Sequence, residues 1–534
     1  RNHSSAASDV YKRQQYYNLM GLAKTYGATV LGVDATLIEI EVHVGSGQPK
    51  YFLVGLPDSA VKEGQHRIES ALKNNHYGMP RQKMVINLAP ADIRKEGSAY
   101  DLPIAIGLLE AWERLDAKKD ISEYLILGEL SLDGSLRPIK GSLPIAIKAR
   151  KEKLKGFILP KQNAREAAIV NDLEVYGVEH ITEVVDFLRG KTELKPTIVN
   201  TREEFFDNLA TSPFDFADVK GQQNIKRSLE IAAAGGHNVI LVGPPGAGKT
   251  MLAKRLPSIL PPLSLREALE TTKIHSVAGL LPNNTALIPN RPFRSPHHTI
   301  SDVALVGGGS VPQPGQISLA HNGVLFLDEL PEFKRSVLEV LRQPIEDRRV
   351  TISRARFTVD YPASFMLIAS MNPCPCGYYN HPDKECVCAP GVVQHYLNKI
   401  SGPLLDRIDL HVEVTPVSFK ELAGDALTEG SKSIRERVTV ARKVQELRFK
   451  TEKNIYCNAQ MPSSMIRKTC LISKAGQTLL HTAMERLGLS ARAYDRILKV
   501  SRTIADLAKS DDIKIEHLAE AIQFRSLDRE NWAG

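Results

Sequence analysis

The chain has 534 residues, 43% of them hydrophobic and 24% charged, which is typical of a globular protein and argues against a disordered, fibrous or membrane-embedded chain. At about 150 residues per domain, this length predicts roughly three or four domains. A net charge of +8 mildly favours a polyanionic partner such as nucleic acid, although many soluble proteins have a slightly basic surface. No run approaches the roughly 18 apolar residues of a spanning helix, and six cysteines are too few for a disulfide scaffold, so we predict a cytoplasmic protein without a membrane span.

The first part of the chain is predicted to form one domain, residues 20–190. Residues 1–19 lack the apolar core of a signal peptide, and we interpret them as a non-native leader. Alternating polar and apolar residues, followed by alternating helices and strands, indicate an α+β or α/β fold. A charged linker, residues 191–216, follows. We predict strands within 30–54, helices at 60–74, 102–112 and 143–152, and strands at 83–88, 124–132, 156–159 and 173–178.

Two segments of this domain resemble the proteolytic domain of Lon. They are Arg94–Ala105 (RKEGSAYDLPIA) and Gly128–Ala149. A Ser-Lys protease needs a serine nucleophile and a lysine base within hydrogen-bond reach. In the Lon pattern, Ala99 takes the nucleophile position, Leu143 takes the lysine position, and Ser98 is one residue off. We therefore predict a Lon-like fold without protease chemistry.

The strongest motif lies between Asn238 and Thr250. It predicts a buried strand, a G-x-x-x-x-G-K-T loop and a helix, which is the arrangement of a phosphate-binding P-loop. Backbone N–H groups would surround the phosphates of ATP, Lys249 would contact the β- and γ-phosphates, and Thr250 would bind Mg²⁺. A glycine-rich turn without a ligand is the alternative. The predicted nucleotide-binding residues are Gly243, Pro244, Pro245, Gly246, Ala247, Gly248, Lys249 and Thr250.

Polar residues also follow two further predicted strands. The apolar run that begins at Gly323 ends in Asp328 and Glu329. Asp328 would hold Mg²⁺ and bind the nucleotide, and Glu329 would act as the general base for water; an acidic helix cap is the alternative. The strand that begins at Phe365 ends at Asn372, whose amide would orient that water or contact the γ-phosphate. These strands fit an open parallel sheet that gathers ligands at its carboxyl edge.

These motifs, with Arg291–Phe333, MNPCPCGYYN and SGPLLDRID, closely resemble the magnesium-chelatase-like AAA+ family called YifB or ComM. The resemblance runs from about Met20 to Arg529. It implies an α/β, P-loop AAA+ parallel-sheet ATPase domain at 217–424 and a carboxy-terminal helical lid at 425–534. It also implies a homohexameric ring that acts as a DNA helicase and promotes branch migration during recombination of incoming DNA.

The same resemblance assigns catalytic roles to two arginines. Arg407 matches the arginine finger that reaches a neighbouring subunit's nucleotide, and Arg492 matches the second sensor on the lid. Both could instead be ordinary surface arginines. Amphipathic periodicity predicts lid helices at 432–449, 473–487, 491–509 and 515–524.

Between Glu329 and Asn372, an alternating segment predicts a β-hairpin rich in arginine. In related ring ATPases such a hairpin projects into the pore, where guanidinium groups can follow a phosphate backbone. A solvated strand face or ion pairs between subunits would explain the arginines equally well. The DNA-contact candidates are Arg348, Arg349, Arg354 and Arg356.

A histidine pair and a cysteine cluster complete the candidate residues. His297 and His298 would form a buried hydrogen-bonded pair or contact DNA. Four cysteines lie within a span of fifteen residues that begins two residues after Asn372; they suit tetrahedral Zn²⁺, although unliganded thiols or a redox pair are alternatives. These cysteines are Cys374, Cys376, Cys386 and Cys388.

Two classes of function follow from the sequence. The first is an ATP-driven DNA motor that binds single-stranded or branched DNA. The second is a chelatase-type or remodelling ATPase that acts on a protein partner, because the ATPase region also resembles the magnesium chelatase motor subunit. The Lon-like domain and the basic hairpin favour the DNA motor.

Overall fold

The structure is a computed structural model. It describes residues 21–207, 213–282, 285–309, 312–354, 357–379, 381, 383–417, 428–452 and 455–525. The described residues divide into two compact units, the first within Arg1–Asn208 and Thr272–Ile288 and the second within Leu209–Thr271 and Pro289–Gly534. In these ranges, no helix has the length and apolar character needed to cross a membrane.

The first unit is built on a mixed β-sheet. Its strands are β1 (Leu22–Leu31), β2 (Asp34–Gly45), β3 (Lys50–Val54), β4 (Lys83–Ala89), β5 (Tyr124–Ile126), β6 (Glu129–Leu130), β7 (Leu136–Arg137), β8 (Gly156–Pro160) and β9 (Glu174–Val178). Seven of them form one sheet in the order β3-β4-β2-β1-β5-β8-β9. β2 pairs antiparallel with β1 and β4, and the other neighbours are parallel.

An apolar helix forms the centre of this unit. Of the eleven residues of Asp101–Ala111, ten are buried, so the helix has no solvated face and lies inside the fold. The helices are α1 (Ser59–Asn74), α2 (Asp101–Ala111), α3 (Ser142–Lys151), α4 (Lys161–Ala167), α5 (Ile181–Leu188) and α6 (Thr201–Asp207). The predicted helices of this region are present within one or two residues of their expected ends.

One predicted strand of this unit is wrong in its extent. Instead of a single strand over 124–132, β5 ends at Ile126 and β6 pairs with β7 in a separate hairpin. The reason lies at Gly128, whose N–H donates to the Ala99 carbonyl oxygen at 2.9 Å, while the Leu102 N–H donates to the Gly128 carbonyl oxygen at 3.1 Å. The backbone there bonds to the start of α2 and leaves the sheet.

The second unit contains the predicted parallel sheet. Its strands are β10 (Val239–Val242), β11 (Phe293–Arg294), β12 (Gly307–Gly308), β13 (Gln313–Pro314), β14 (Val324–Leu327), β15 (Arg349–Arg354), β16 (Phe357–Pro362), β17 (Met366–Met371) and β18 (Leu410–Glu413). Five of them form one sheet in the order β11-β14-β17-β10-β18, and every neighbouring pair is parallel. The prediction of an open parallel sheet is confirmed.

Helices make up much of the rest of the second unit, including its carboxy-terminal lid, and one of them, Leu265–Ala278, continues into residues of the first unit. They are α7 (Gln223–Gly235), α8 (Lys249–Arg255), α9 (Leu265–Ala278), α10 (Asp302–Val306), α11 (Gln316–Leu319), α12 (Arg335–Glu339), α13 (Arg342–Asp347), α14 (Pro390–Leu397), α15 (Gly402–Leu405), α16 (Ser431–Arg448), α17 (Ser463–Thr469), α18 (Lys474–Leu487), α19 (Ala491–Leu507) and α20 (Ile515–Gln523). Leu241 of the sheet and Ile497 and Leu518 of the lid belong to one buried apolar cluster. The lid therefore shares its core with the sheet, and burial of that apolar surface holds the two together.

Candidate active site

The predicted P-loop connects β10 to α8 at the carboxyl edge of the parallel sheet. Gly246 and Gly248 have φ angles of +78° and +86°, a region in which a residue with a Cβ is strained. Gly243 lies against the backbone of Val414, and a Cβ on it would come within 2.2 Å of the Val414 carbonyl oxygen. Glycine is therefore needed at three positions of the loop, which bends as a phosphate-binding loop must.

Lys249 places its ammonium group beside this loop. Nζ donates to the carbonyl oxygens of Gly243 at 2.7 Å and Pro244 at 2.9 Å, and to Asn372 Oδ1 at 3.0 Å. Burial lowers the pKa of Lys249, and two nearby carboxylates oppose that shift. The ammonium thus links the P-loop to the residue that follows β17, and it has no carboxylate among these hydrogen-bond partners. Such a group can turn to a phosphate oxygen.

Asp328 follows β14 and contacts two hydroxyl groups. Thr250 Oγ1 donates to Asp328 Oδ2 at 2.7 Å, and Ser370 Oγ donates to Asp328 Oδ1. The Thr250 hydroxyl and the Asp328 carboxylate are the two groups predicted to bind Mg²⁺, and both are oxygen ligands of the kind this ion prefers. Their direct contact means that this pair fits a magnesium ion.

Glu329 lies in an unusual backbone conformation at the edge of the sheet. Its φ is +54°, and its N–H donates to Asp328 Oδ1 at 3.1 Å. The side chain is 58% exposed, so water can reach its carboxylate. A non-glycine residue in this region is uncommon, and such conformations often occur at functional sites.

His298 contacts the Glu329 carboxylate, a contact that the sequence did not predict. Its Nδ1 lies 3.6 Å from Glu329 Oε2, and the centroid of its ring lies 4.1 Å from that of His297, with the two ring planes tilted by 34°. His297 is exposed and its Nδ1 is 2.9 Å from Thr299 Oγ1, so the buried hydrogen-bonded pair, one of the two alternatives for these histidines, is not present. The signal was topological: His298 lies after β11, and β11 is the parallel neighbour of β14, the strand that precedes Glu329.

Arg407 is buried and ion-paired. Its side chain is 8% exposed, with Nη2 2.9 Å from Glu346 Oε1, and Nη1 donates to the Pro403 carbonyl oxygen at 2.6 Å. It is therefore not an ordinary solvated arginine, and its role as an arginine finger stays a prediction.

Arg492 and Arg496 lie one turn apart on the lid helix α19. Arg492 is exposed in the first turn, whereas Arg496 forms an ion pair with buried Asp409. Burial alone would raise the pKa of Asp409, but the Arg496 charge and the His237 ring hold it well below its usual range, helped by the N–H of Asn238. The sequence did not single out Arg496, although its position on the buried face of an amphipathic helix was a signal. This buried pair joins the lid to the sheet.

The predicted arginine hairpin is present as β15 and β16. Arg349 is 59% exposed, with Nη1 3.9 Å from Asp360 Oδ2. Arg348 precedes the hairpin and is half-buried, and burial lowers its pKa. Arg354 is described in its backbone alone, and Arg356 lies outside the described residues. Arg349 is thus an accessible cation on the hairpin.

The four clustered cysteines converge on one point. Their Sγ atoms all lie within 4.8 Å of one another, and all four are free thiols. Cys374 is buried and the other three are half-buried. The geometry fits four ligands around one metal ion.

The first unit has no Ser-Lys pair at the positions that a Lon protease would use. Ala99 has no nucleophile, and Leu143 is buried and has no amine. Ser98 Oγ donates to a carboxylate oxygen of Glu129 and not to the lysine amine that a Ser-Lys protease requires.

Ser98→Ala is therefore expected to leave the rate of ATP hydrolysis unchanged, and casein is expected to stay uncleaved by wild type and variant alike, because no lysine or histidine activates this hydroxyl. The ATPase rate and casein cleavage of this variant are compared with those of wild type and of Ser122→Ala, a serine elsewhere on the same unit. A serine-reactive probe that labels Ser98, or casein cleavage lost in this variant alone, would show that the unit is a protease.

Three family models match the chain. Residues 215–422 match "Magnesium chelatase, subunit ChlI", residues 428–525 match "Magnesium chelatase, subunit ChlI C-terminal", and residues 40–163 match "Subunit ChlI of Mg-chelatase". The third match lies within the first unit. The presence of this unit therefore does not by itself separate a DNA motor from a chelatase, contrary to the expectation from sequence.

Curated relatives are similar over nearly the whole chain. Competence protein ComM of Haemophilus influenzae is 45% identical over 514 residues, which cover 96% of this chain and 98% of the relative. Uncharacterized protein YifB of Escherichia coli is 45% identical over 515 residues, with the same coverage. Lon protease 2 of Bacillus subtilis is 32% identical over 160 residues, 27% of this chain and 28% of the relative. This shorter similarity agrees with the Lon-like amino-terminal segments.

Proposed function

Because this chain belongs to the magnesium-chelatase-like AAA+ family that contains ComM and YifB, we propose that it is an ATP-hydrolysing ring motor that acts on DNA. The observation that carries the ATPase assignment is the meeting of Lys249, Thr250, Asp328 and Asn372 after three adjacent parallel strands. Ligands of open α/β sheets bind at this carboxyl edge.

Each side chain has a distinct role in the proposed hydrolysis. Lys249 would exchange its carbonyl partners for the β- and γ-phosphate oxygens. Glu329 would accept the proton of the water that attacks the γ-phosphorus, because its carboxylate is accessible at the sheet edge. Asn372, already bonded to Lys249, would orient that water. Arg492, exposed on the lid, is proposed to contact the nucleotide as the second sensor.

The proposed cofactors are ATP, Mg²⁺ and a structural Zn²⁺. Thr250 and Asp328 would hold Mg²⁺, which would neutralise charge on the phosphate oxygens. The four-cysteine cluster would hold Zn²⁺. A cytoplasmic location is proposed because free thiolate ligands persist in a reducing compartment.

A ring is proposed because Arg407 would act on a neighbouring subunit's nucleotide. In this chain it contacts Glu346 and Pro403, so the finger would have to exchange the Glu346 carboxylate for a phosphate group. The Glu346 carboxylate and the Pro403 carbonyl oxygen both accept hydrogen bonds from the guanidinium group, as the oxygens of a phosphate group would. A homohexamer is the proposed assembly, by resemblance to the family.

DNA is the proposed partner, most specifically single-stranded or branched DNA during branch migration. The support is the similarity to Competence protein ComM and the arginine hairpin, on which Arg349 is exposed. Guanidinium groups on a projecting hairpin would contact phosphates without reading the base sequence.

Arg354→Ala with Arg356→Ala is expected to weaken DNA binding for every sequence tested. The plot of log affinity against log salt concentration has a negative slope, and the loss of two phosphate contacts should make that slope shallower by about two. Fluorescence anisotropy of labelled single-stranded and branched DNA over a salt series measures this slope. The matched control is Arg266→Ala, an exposed arginine on α9 that is paired with Glu270 and lies outside the hairpin. An unchanged slope in the double variant would remove the hairpin from the DNA interface.

A chelatase-type or protein-remodelling ATPase is the second candidate. It is favoured by the magnesium chelatase family models, which match both the ATPase region and the lid. This candidate predicts an ATPase rate that DNA does not change and a purified protein partner that does.

A further inference from the structure

The four-cysteine cluster lies next to the P-loop. Cys374 comes two residues after Asn372, whose side chain accepts a hydrogen bond from Lys249. Gly377 belongs to the same turn, and its φ is +85°. A Cβ on Gly377 would lie 2.4 Å from Cδ of Pro245 in the P-loop. The turn that carries two of the cysteines therefore packs directly against the phosphate-binding loop.

The sulfur atoms are close enough to share one ion. Cys374 Sγ is 3.3 Å from Cys376 Sγ and 3.7 Å from Cys386 Sγ, and the Cys376 and Cys386 sulfurs are 3.5 Å apart. Zn–S bonds of about 2.3 Å in a tetrahedron place sulfurs about 3.8 Å apart. The Gly377 N–H donates to Cys374 Sγ at 3.2 Å, and such a bond stabilises a metal-bound thiolate.

The ligand set selects the class of metal. Four thiolates favour a soft or borderline cation, and a closed tetrahedral sulfur site is typical of structural Zn²⁺. Each thiol would lose its proton on binding, so loading releases four protons to solvent. The segment 373–388 has few buried apolar side chains among its described residues, so metal bonds would supply most of its rigidity.

We propose that Zn²⁺ bound by Cys374, Cys376, Cys386 and Cys388 controls nucleotide binding through two contacts with the adjacent site. The metal fixes the turn at Gly377 against Pro245, and it fixes the backbone that carries Asn372. Loss of the metal releases both and weakens the affinity for ATP. This regulation rests on the proposed function in two respects, that the P-loop binds nucleotide and that the cysteine cluster binds Zn²⁺.

Metal content and nucleotide affinity are measured together, without DNA. The variants are Cys386→Ala with Cys388→Ala, which removes two ligands, and Gly377→Ala, which keeps all four but crowds Pro245. The controls are Cys470→Ala, a cysteine outside the cluster, and Gly391→Ala, where a Cβ meets no atom within 4 Å. Zinc is measured by mass spectrometry, and the Kd of a fluorescent non-hydrolysable ATP analogue by titration.

Wild type and both controls are expected to carry about one zinc per chain. The double cysteine variant should lose the zinc, and its nucleotide Kd should rise about tenfold. Gly377→Ala should keep the zinc and weaken nucleotide binding. A zinc-selective chelator, used with Mg²⁺ kept in excess, should raise the Kd of wild type reversibly, and added Zn²⁺ should restore it, which separates this effect from misfolding and from loss of Mg²⁺.

Two results would overturn the proposal. One is wild type that carries no zinc after reducing purification and binds none on titration. The other is zinc whose removal leaves the Kd within twofold of its starting value. Both leave nucleotide binding itself intact, whereas wild type that binds no nucleotide with its zinc present would reject the proposed ATPase function.

Discussion

Glu329→Gln is expected to bind ATP as wild type does and to hydrolyse it about 10²- to 10⁴-fold more slowly, because an amide cannot accept a proton from the attacking water. The substitution preserves the size of the side chain. It also preserves the backbone N–H bond to Asp328, so the magnesium-binding pair with Thr250 should be undisturbed. The expected loss is therefore in kcat and not in nucleotide affinity.

Two controls make this result specific. Glu332→Gln changes a neighbouring half-exposed carboxylate that pairs with Lys399, and its hydrolysis should stay near the wild-type rate. Lys249→Ala should instead lose nucleotide affinity, since the variant lacks the ammonium group that would contact the phosphates. Steady-state phosphate release and equilibrium nucleotide titration separate these cases. Near wild-type hydrolysis by Glu329→Gln would assign the base to another residue.

Arg407→Ala is expected to form rings and bind ATP but to hydrolyse it about 10³-fold or more slowly, which is the lower end of the effect of an arginine finger. The substitution also removes the ion pair with Glu346, whose side chain is 45% exposed, so the remaining carboxylate can be solvated. Arg342→Ala is the control, because it breaks a more exposed ion pair, with Glu339, elsewhere on the same unit.

Mixing two inactive variants tests whether Arg407 acts on a neighbouring subunit. Subunits with Arg407→Ala keep an intact P-loop, and subunits with Lys249→Ala keep an intact finger. Some interfaces in a mixed ring therefore pair an intact nucleotide site with an intact arginine. ATP hydrolysis should reappear when the two variants are mixed, and its rate should vary with the ratio of the two kinds of subunit. A mixture as inactive as its components, with mixed rings confirmed by native mass spectrometry, would place Arg407 outside the neighbouring site.

The nucleotide loop and the parallel strands could be predicted from sequence because their signals are local. The run from Asn238 to Thr250 contains its own strand, glycines and helix start. Asp328 and Asn372 each follow directly on a buried apolar strand, so parallel pairing alone brings them to the same edge. Residue type and position after a strand were sufficient for these groups.

Contacts between distant elements could not be predicted in the same way. The pairing of His298 with Glu329 depends on which strand lies beside β14, and Asp409 meets Arg496 because the lid packs on the sheet. The break between β5 and β6 depends on hydrogen bonds from Gly128 to the start of α2. Periodicity within one segment contains none of this information, because it does not show which segments become neighbours.

The most direct test of the proposed function is ATP-dependent branch migration on a mobile four-way DNA junction labelled with a donor and an acceptor fluorophore. Wild type with ATP should move the junction and separate the labels, and Glu329→Gln should bind the same junction without moving it. A wild-type chain that hydrolyses ATP at a rate unchanged by DNA, and that leaves the junction in place, would contradict the assignment of a DNA motor.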